Sequence, residues 1–101
     1  MWVCLNDGFI SVVEDLNDEN RLLVRSRRIE ILEKLFPGEI IVTSAGTDYK
    51  YRTFVDRKKV AEIIKNQLLD INYGNFKNSV VDHDLHDLYN GFWSMHYRYQ
   101  L

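Results

Sequence analysis

A chain of 101 residues, 46% hydrophobic and 28% charged, can bury one core and has no room for a second; the same balance argues against wholesale disorder. The net charge of −2 excludes a global field that would draw DNA or an anionic membrane, so any electrostatic role falls to local patches. The single cysteine, Cys4, rules out an internal disulfide framework, and no apolar run reaches the roughly 18 residues that cross a bilayer.

The chain opens with a predicted hairpin. Trp2–Leu5 and Phe9–Val13 are rich in strand formers, and Asn6-Asp7-Gly8 between them is a short-turn signal because Asp and Gly tolerate positive φ. Within Trp2-Val3-Cys4-Leu5, Cys4 reads as a buried small hydrophobe rather than a reactive thiol. No basic segment leads into a long apolar stretch and a cleavage site, so no signal peptide is expected and the expected location is cytoplasmic.

The acidic stretch 14–20 reads as a solvated turn. Arg21–Arg27 then alternates, with Leu22, Val24 and Ser26 on one face and Arg21, Leu23, Arg25 and Arg27 on the other, as a third strand would. At Arg28–Phe36 the period changes: Ile29, Leu32, Leu35 and Phe36 recur at helical steps, and Pro37-Gly38 ends the helix. Strands are predicted again at Glu39–Ser44 and Tyr49–Val55, joined by a hairpin loop at Ala45–Asp48.

Asp56 is placed to cap a second helix whose stripe is Val60, Ile63, Ile64, Leu68 and Ile71. Asn72-Tyr73-Gly74-Asn75 breaks the pattern. After a short connection, Asp82 can cap a third helix carrying Leu85, Leu88, Tyr89, Phe92 and Tyr99 on one side. The predicted order is β-β-β-α-β-β-α-α over one domain, residues 1–101. Its fold class is α+β: a mainly antiparallel sheet of about five strands with helices packed on one face.

Met1-Trp2-Val3, Asn6, Gly8-Phe9, Ser11-Val12-Val13, Gly46-Thr47-Asp48-Tyr49-Lys50-Tyr51-Arg52 and Asn72-Tyr73-Gly74-Asn75-Phe76-Lys77, with Tyr89 and Trp93, resemble a family of short bacterial proteins. The strings matching GTDYxYR and NYxNFK are the most specific parts of a resemblance that runs along nearly the whole chain. It implies a compact stand-alone domain. It carries over no catalytic residue, because that family has no established activity.

Four groups of residues compete as sites. The first is an anion site made by Gly46, Thr47, Lys50, Arg52, Arg57, Lys58 and Lys59. A glycine loop offers N–H groups, and three cations crowd the start of the second helix, where the dipole disfavours positive charge and favours a phosphate or acidic partner. The ordinary reading is that Asp56 caps the helix while Lys58 and Lys59 pair with Glu62. The second is a nucleic-acid surface extending over Arg21, Arg25, Arg27 and Arg28 with Tyr49 and Tyr51. Glu14, Asp15, Asp18 and Glu19 stand ready to neutralise it.

The third group, His83, His86 and Asp87 with Asn90, shares one helix face and offers weak metal ligands without an evident third or fourth donor. A solvated polar face explains them as well, and His96 on the apolar side reads as a satisfied core histidine. The fourth is the flank of the last helix, where His86, Asn90, Trp93 and Tyr97 form an interface candidate. No Gly-x-Ser-x-Gly elbow surrounds Ser11, Ser44 or Ser94. The sequence therefore points to a non-enzymatic protein–protein interaction or regulatory module that uses no cofactor and is able to self-associate. Nucleotide or nucleic-acid binding is the alternative.

Overall fold

A computed structural model describes residues 1–44 and 46–100. Over the described residues the fold is α+β: a five-stranded, wholly antiparallel sheet with four helices. The strands are β1 (Trp2–Leu5), β2 (Gly8–Glu14), β3 (Arg21–Ser26), β4 (Val42–Thr43) and β5 (Tyr51–Asp56), arranged β1-β2-β3-β5-β4. The helices are α1 (Ile29–Leu35), α2 (Arg57–Leu69), α3 (Phe76–Ser79) and α4 (His83–Tyr97).

Side-chain alternation decides the two faces of the sheet. Ile10, Val12, Val24 and Val55 point to one face and close a core with Ile31, Leu32, Leu35 and Phe36 from the α1 region and Val60 from α2. Thus α1 and α2 share that face. The register Val24 opposite Val12 and Thr53 holds the three central strands in phase, and it leaves Arg25, Ser11 and Arg52 in a row on the other face. There, α4 meets the β1–β2 hairpin through Phe92, which stacks on Trp2 at 6.1 Å and tilts against Phe9 at 5.8 Å.

Several expectations are corrected by this arrangement. The first turn contains no positive φ: among the described residues only Gly38 and Gly46 adopt one. Gly8 instead belongs to β2 and is required for space, since a Cβ there would lie 2.5 Å from Cγ1 of Ile31. Cys4 is exposed rather than buried, because β1 is an edge strand and the thiol's face is only partly covered. Its partial burial still pushes the thiol pKa up, which disfavours the reactive thiolate.

The stretch 14–20 is more than a solvated turn. Asp15 is buried, accepts a hydrogen bond from the Asn17 amide at 3.0 Å and pairs with Arg21 at 3.0 Å. The expected strand Glu39–Ser44 shrinks to Val42–Thr43, and β5 starts at Tyr51 rather than Tyr49. Tyr49 leaves the ladder and lies buried against two arginines, Arg25 and Arg27. The hairpin loop still forms, with the Ser44 amide donating to the Lys50 carbonyl at 2.8 Å; Ala45 within it lies outside the described residues.

Further along, α2 outruns the sheet: Val60 is buried, but Leu68 and Ile71 of its stripe are exposed. The connection after Asn75 holds one unexpected helical turn, α3, whose cap is the Asn75 side chain accepting from the Asn78 amide. Helix α4 also outruns its support, so His96 is exposed rather than a core histidine, and Tyr99 lies beyond the helix in solvent. No helix among the described residues is long and apolar enough to cross a membrane.

Candidate interaction surface

Helix α4 is fixed at its N-terminal half. Asp82 caps it by accepting from the Leu85 amide at 3.0 Å. Arg28, just before α1, reaches across to Asp84 at 2.8 Å and Asp82 at 3.5 Å. The Asp84 hydrogen bond, and then the two carboxylate charges, hold that guanidinium still more firmly in its charged form. Tyr89 turns its phenol into the hairpin, donating to the Leu5 and Gly8 carbonyls at 2.8 and 3.0 Å. Burial pushes its pKa well above the usual phenol range.

Past Phe92 the helix loses this support. His86, Asn90, Trp93 and Tyr97 follow at steps of four, three and four, which align them in one stripe. Contacts join Asn90, Trp93 and Tyr97, directly or through Lys77, while His86 shares the stripe by spacing alone. Trp93 and Tyr97 stack at 5.3 Å, and they remain 46% and 60% exposed. Lys77 on α3 sits 4.3 Å above the Trp93 ring and reaches the Asn90 side-chain oxygen at 3.4 Å. The stripe therefore carries an aromatic pair with an ammonium group over its Trp93 ring.

Beside the stripe runs a groove of about 740 Å³ between α4, the 74–77 segment and β1. Trp2, Phe76, Phe92, Trp93 and Met95 make its walls largely apolar. A second cleft, about 570 Å³, opens on the other side of Phe92, with Leu85 and Leu88 on its apolar wall and Arg27, Arg28, Asp7 and Asp84 on its rim. Its charges are mutually compensated, most directly through Arg28 and Asp84.

The anion-site residues are not brought together. Gly46, Thr47 and Lys50 lie before β5, and Arg57, Lys58 and Lys59 lie after it, so a strand of roughly 20 Å separates the two halves. Thr47 spends its hydroxyl on the Ser44 and Tyr49 carbonyls, and Lys50 leans over Tyr51. Arg57 donates to the Glu19 carbonyl, Lys59 pairs with Glu39 at 2.7 Å, and Asp56 accepts from the Lys58 and Lys59 amides.

Arg52 has a different setting, which sequence reasoning missed. It stands directly opposite Arg25 across β3 and β5, and neither forms a carboxylate pair among the described residues. The Nε of each is shut from solvent without an acceptor. Arg25 donates to Ser11 at 3.1 Å and lies 4.7 Å over the Tyr49 ring. Alternation already placed Arg25 on this face, but only the β3–β5 register reveals its neighbour.

The nucleic-acid surface is compromised by its own contacts. Arg21 pairs with Asp15 and Asp18, Arg27 with Asp48, and the guanidinium groups of Arg25 and Arg27 both lie over the Tyr49 ring. No group of three or more metal-ligating side chains exists among the described residues; His83 contacts Asp87 at 3.4 Å, and both are exposed. Comparison of the chain with family models, with curated proteins and with solved structures returns no match.

Proposed function

We propose that this chain is a non-enzymatic interaction module that docks a protein partner on the aromatic stripe of α4. The observation that carries this reading is the stacked, half-exposed Trp93–Tyr97 pair with Lys77 over it. Large aromatic rings beside one cation fit a partner surface that offers apolar side chains and a carboxylate. Immobilised wild type should capture a partner that Trp93→Ala and Lys77→Glu do not, with the variants' unfolding changed by less than about 0.5 kcal/mol. Equal capture by all three proteins, or by none, would overturn it.

A second reading, phosphate binding, rests on Arg25 and Arg52 and no longer on the full loop-and-helix set. Two neighbouring guanidinium groups without carboxylates suit an oxyanion that bridges them. Phosphate should then raise the melting temperature of wild type and leave Arg52→Gln unmoved; a chloride control of equal ionic strength that gives the same rise would sink this reading.

A further inference from the structure

The two edges of the sheet are built differently. β4 protects its edge by being two residues long, Val42–Thr43. β1 has no such protection: Trp2-Val3-Cys4-Leu5 carries neither charge nor proline, and Trp2 is 68% exposed. Natural monomers shield open edges with lysines, prolines or bulges, because unpaired N–H and C=O groups template another strand.

The hydrogen-bond phase of β1 tells which groups are open. Met1 and Val12 exchange both bonds, each at 2.8 Å. Alternation along an antiparallel pair then directs the N–H and C=O of Val3 and Leu5 toward β2, and those of Trp2 and Cys4 outward. Among the described residues no internal hydrogen bond takes up these outward groups.

We propose that β1 pairs antiparallel with β1 of a second copy about a two-fold axis at Val3. In that register Trp2 of one copy exchanges both main-chain bonds with Cys4 of the other. The symmetric pair repeats the exchange, so the same four groups are donors and acceptors on both sides. The strand is self-complementary, which is what selects a second copy over an unrelated peptide. The chain exposes 7285 Å², about 1,300 Å² above the roughly 6,000 Å² of a compact monomer of this mass; the exposed Trp2 and Cys4 of β1 share in that surplus with the overhanging ends of α2 and α4, and a standard interface takes roughly 800 Å² from each partner. The product is a continuous ten-stranded sheet, twice the five strands of one chain. Both copies of α1 and α2 lie on one side of it and both copies of α4 on the other. The two apolar grooves then flank the axis on the α4 side.

The test is the solution mass of the full chain by sedimentation, from low to high micromolar concentration. Wild type should sediment at twice the 12.0 kDa chain mass. Cys4→Pro removes an N–H that β1 does not use internally, so the fold is kept while association weakens about 100-fold through two lost main-chain bonds. Cys4→Lys, which adds charge at an exposed edge position, should give the single-chain mass even if the proline variant fails to fold. Val3→Cys in a Cys4→Ser background should form an intermolecular disulfide under mild oxidation, because Val3 faces its own copy at close Cα spacing. Trp93→Ala should keep the dimer mass, which separates this result from any outcome on the α4 stripe. A wild type of single-chain mass throughout, a folded Cys4→Lys that stays dimeric, or a dimer in which Val3→Cys does not cross-link would each overturn the proposal.

Discussion

The phenol oxygen of Tyr89 lies 2.8 Å from the Leu5 carbonyl and 3.0 Å from the Gly8 carbonyl, so one buried proton serves both ends of the first hairpin turn. Tyr89→Phe strands that site without a donor. It should cost about 1–3 kcal/mol, read from urea unfolding at neutral pH.

The same phenol sets an alkaline limit. Its folded pKa is raised by burial, while the unfolded chain titrates near 10. Below about pH 10 both states keep the proton and the contribution of the bond is fully present. As pH rises further the unfolded state ionises first, so stability falls by up to about 1.4 kcal/mol per pH unit. The stability curves of wild type and Tyr89→Phe should therefore converge above about pH 10.

Gly8→Ala should destabilise the fold by about 1–3 kcal/mol, because the new methyl group meets Ile31 at 2.5–2.6 Å. Ile31→Ala in that background should cost less than Ile31→Ala in wild type. A double-mutant cycle gives the coupling directly, and strict additivity would mean the two positions do not share this space.

Arg25 and Arg52 repel across the ladder with no carboxylate between them among the described residues. Arg52→Met keeps the stem that covers the sheet and removes the charge, so it should hold or raise stability by about 0.2–1 kcal/mol. The gain should shrink in high salt, where wild-type repulsion is screened. Urea unfolding at two ionic strengths measures both effects.

Asp56 takes the amides of Lys58 and Lys59 at 2.9 and 3.2 Å, at the head of a helix whose first turn has no acidic residue. Asp56→Ala should cost about 1 kcal/mol. Lys58→Glu should add about 0.3–1 kcal/mol by matching the dipole. Thermal unfolding of the two variants at low salt would show the opposite signs.

The sheet, α1 and both long helices were legible in the sequence because each depends on a local pattern: alternation in Arg21–Arg27, three- and four-residue steps in Ile29–Phe36, and Asp56 and Asp82 ahead of apolar stripes. What failed depends on where an element ends relative to its neighbours. Leu68, Ile71 and His96 sit at helical core positions, yet the sheet stops short of them. Cys4 looked buried because an apolar run does not announce that its strand is an edge. In the candidate surface, the stripe His86, Asn90, Trp93 and Tyr97 was legible from spacing alone. Lys77 was not, since its place over Trp93 depends on the turn of α3. The anion set looked contiguous along the chain, but a strand between its halves points them to opposite ends of the sheet.

Among the described residues, none of the nine buried side chains in the central cluster belongs to α4. That helix is attached by the Tyr89 phenol, the Arg28 carboxylate pairs and the Phe92 ring. It can therefore detach while the core stays closed, at a free energy below that of global unfolding. Amide exchange should show α4 opening as a unit ahead of β2, β3 and β5. Each such opening uncovers Phe9 and takes Phe92 off Trp2, which is already 68% exposed with the helix in place; the last helix is a removable cover on Phe9, and a competitor for that ring would trap the protein with the cover off.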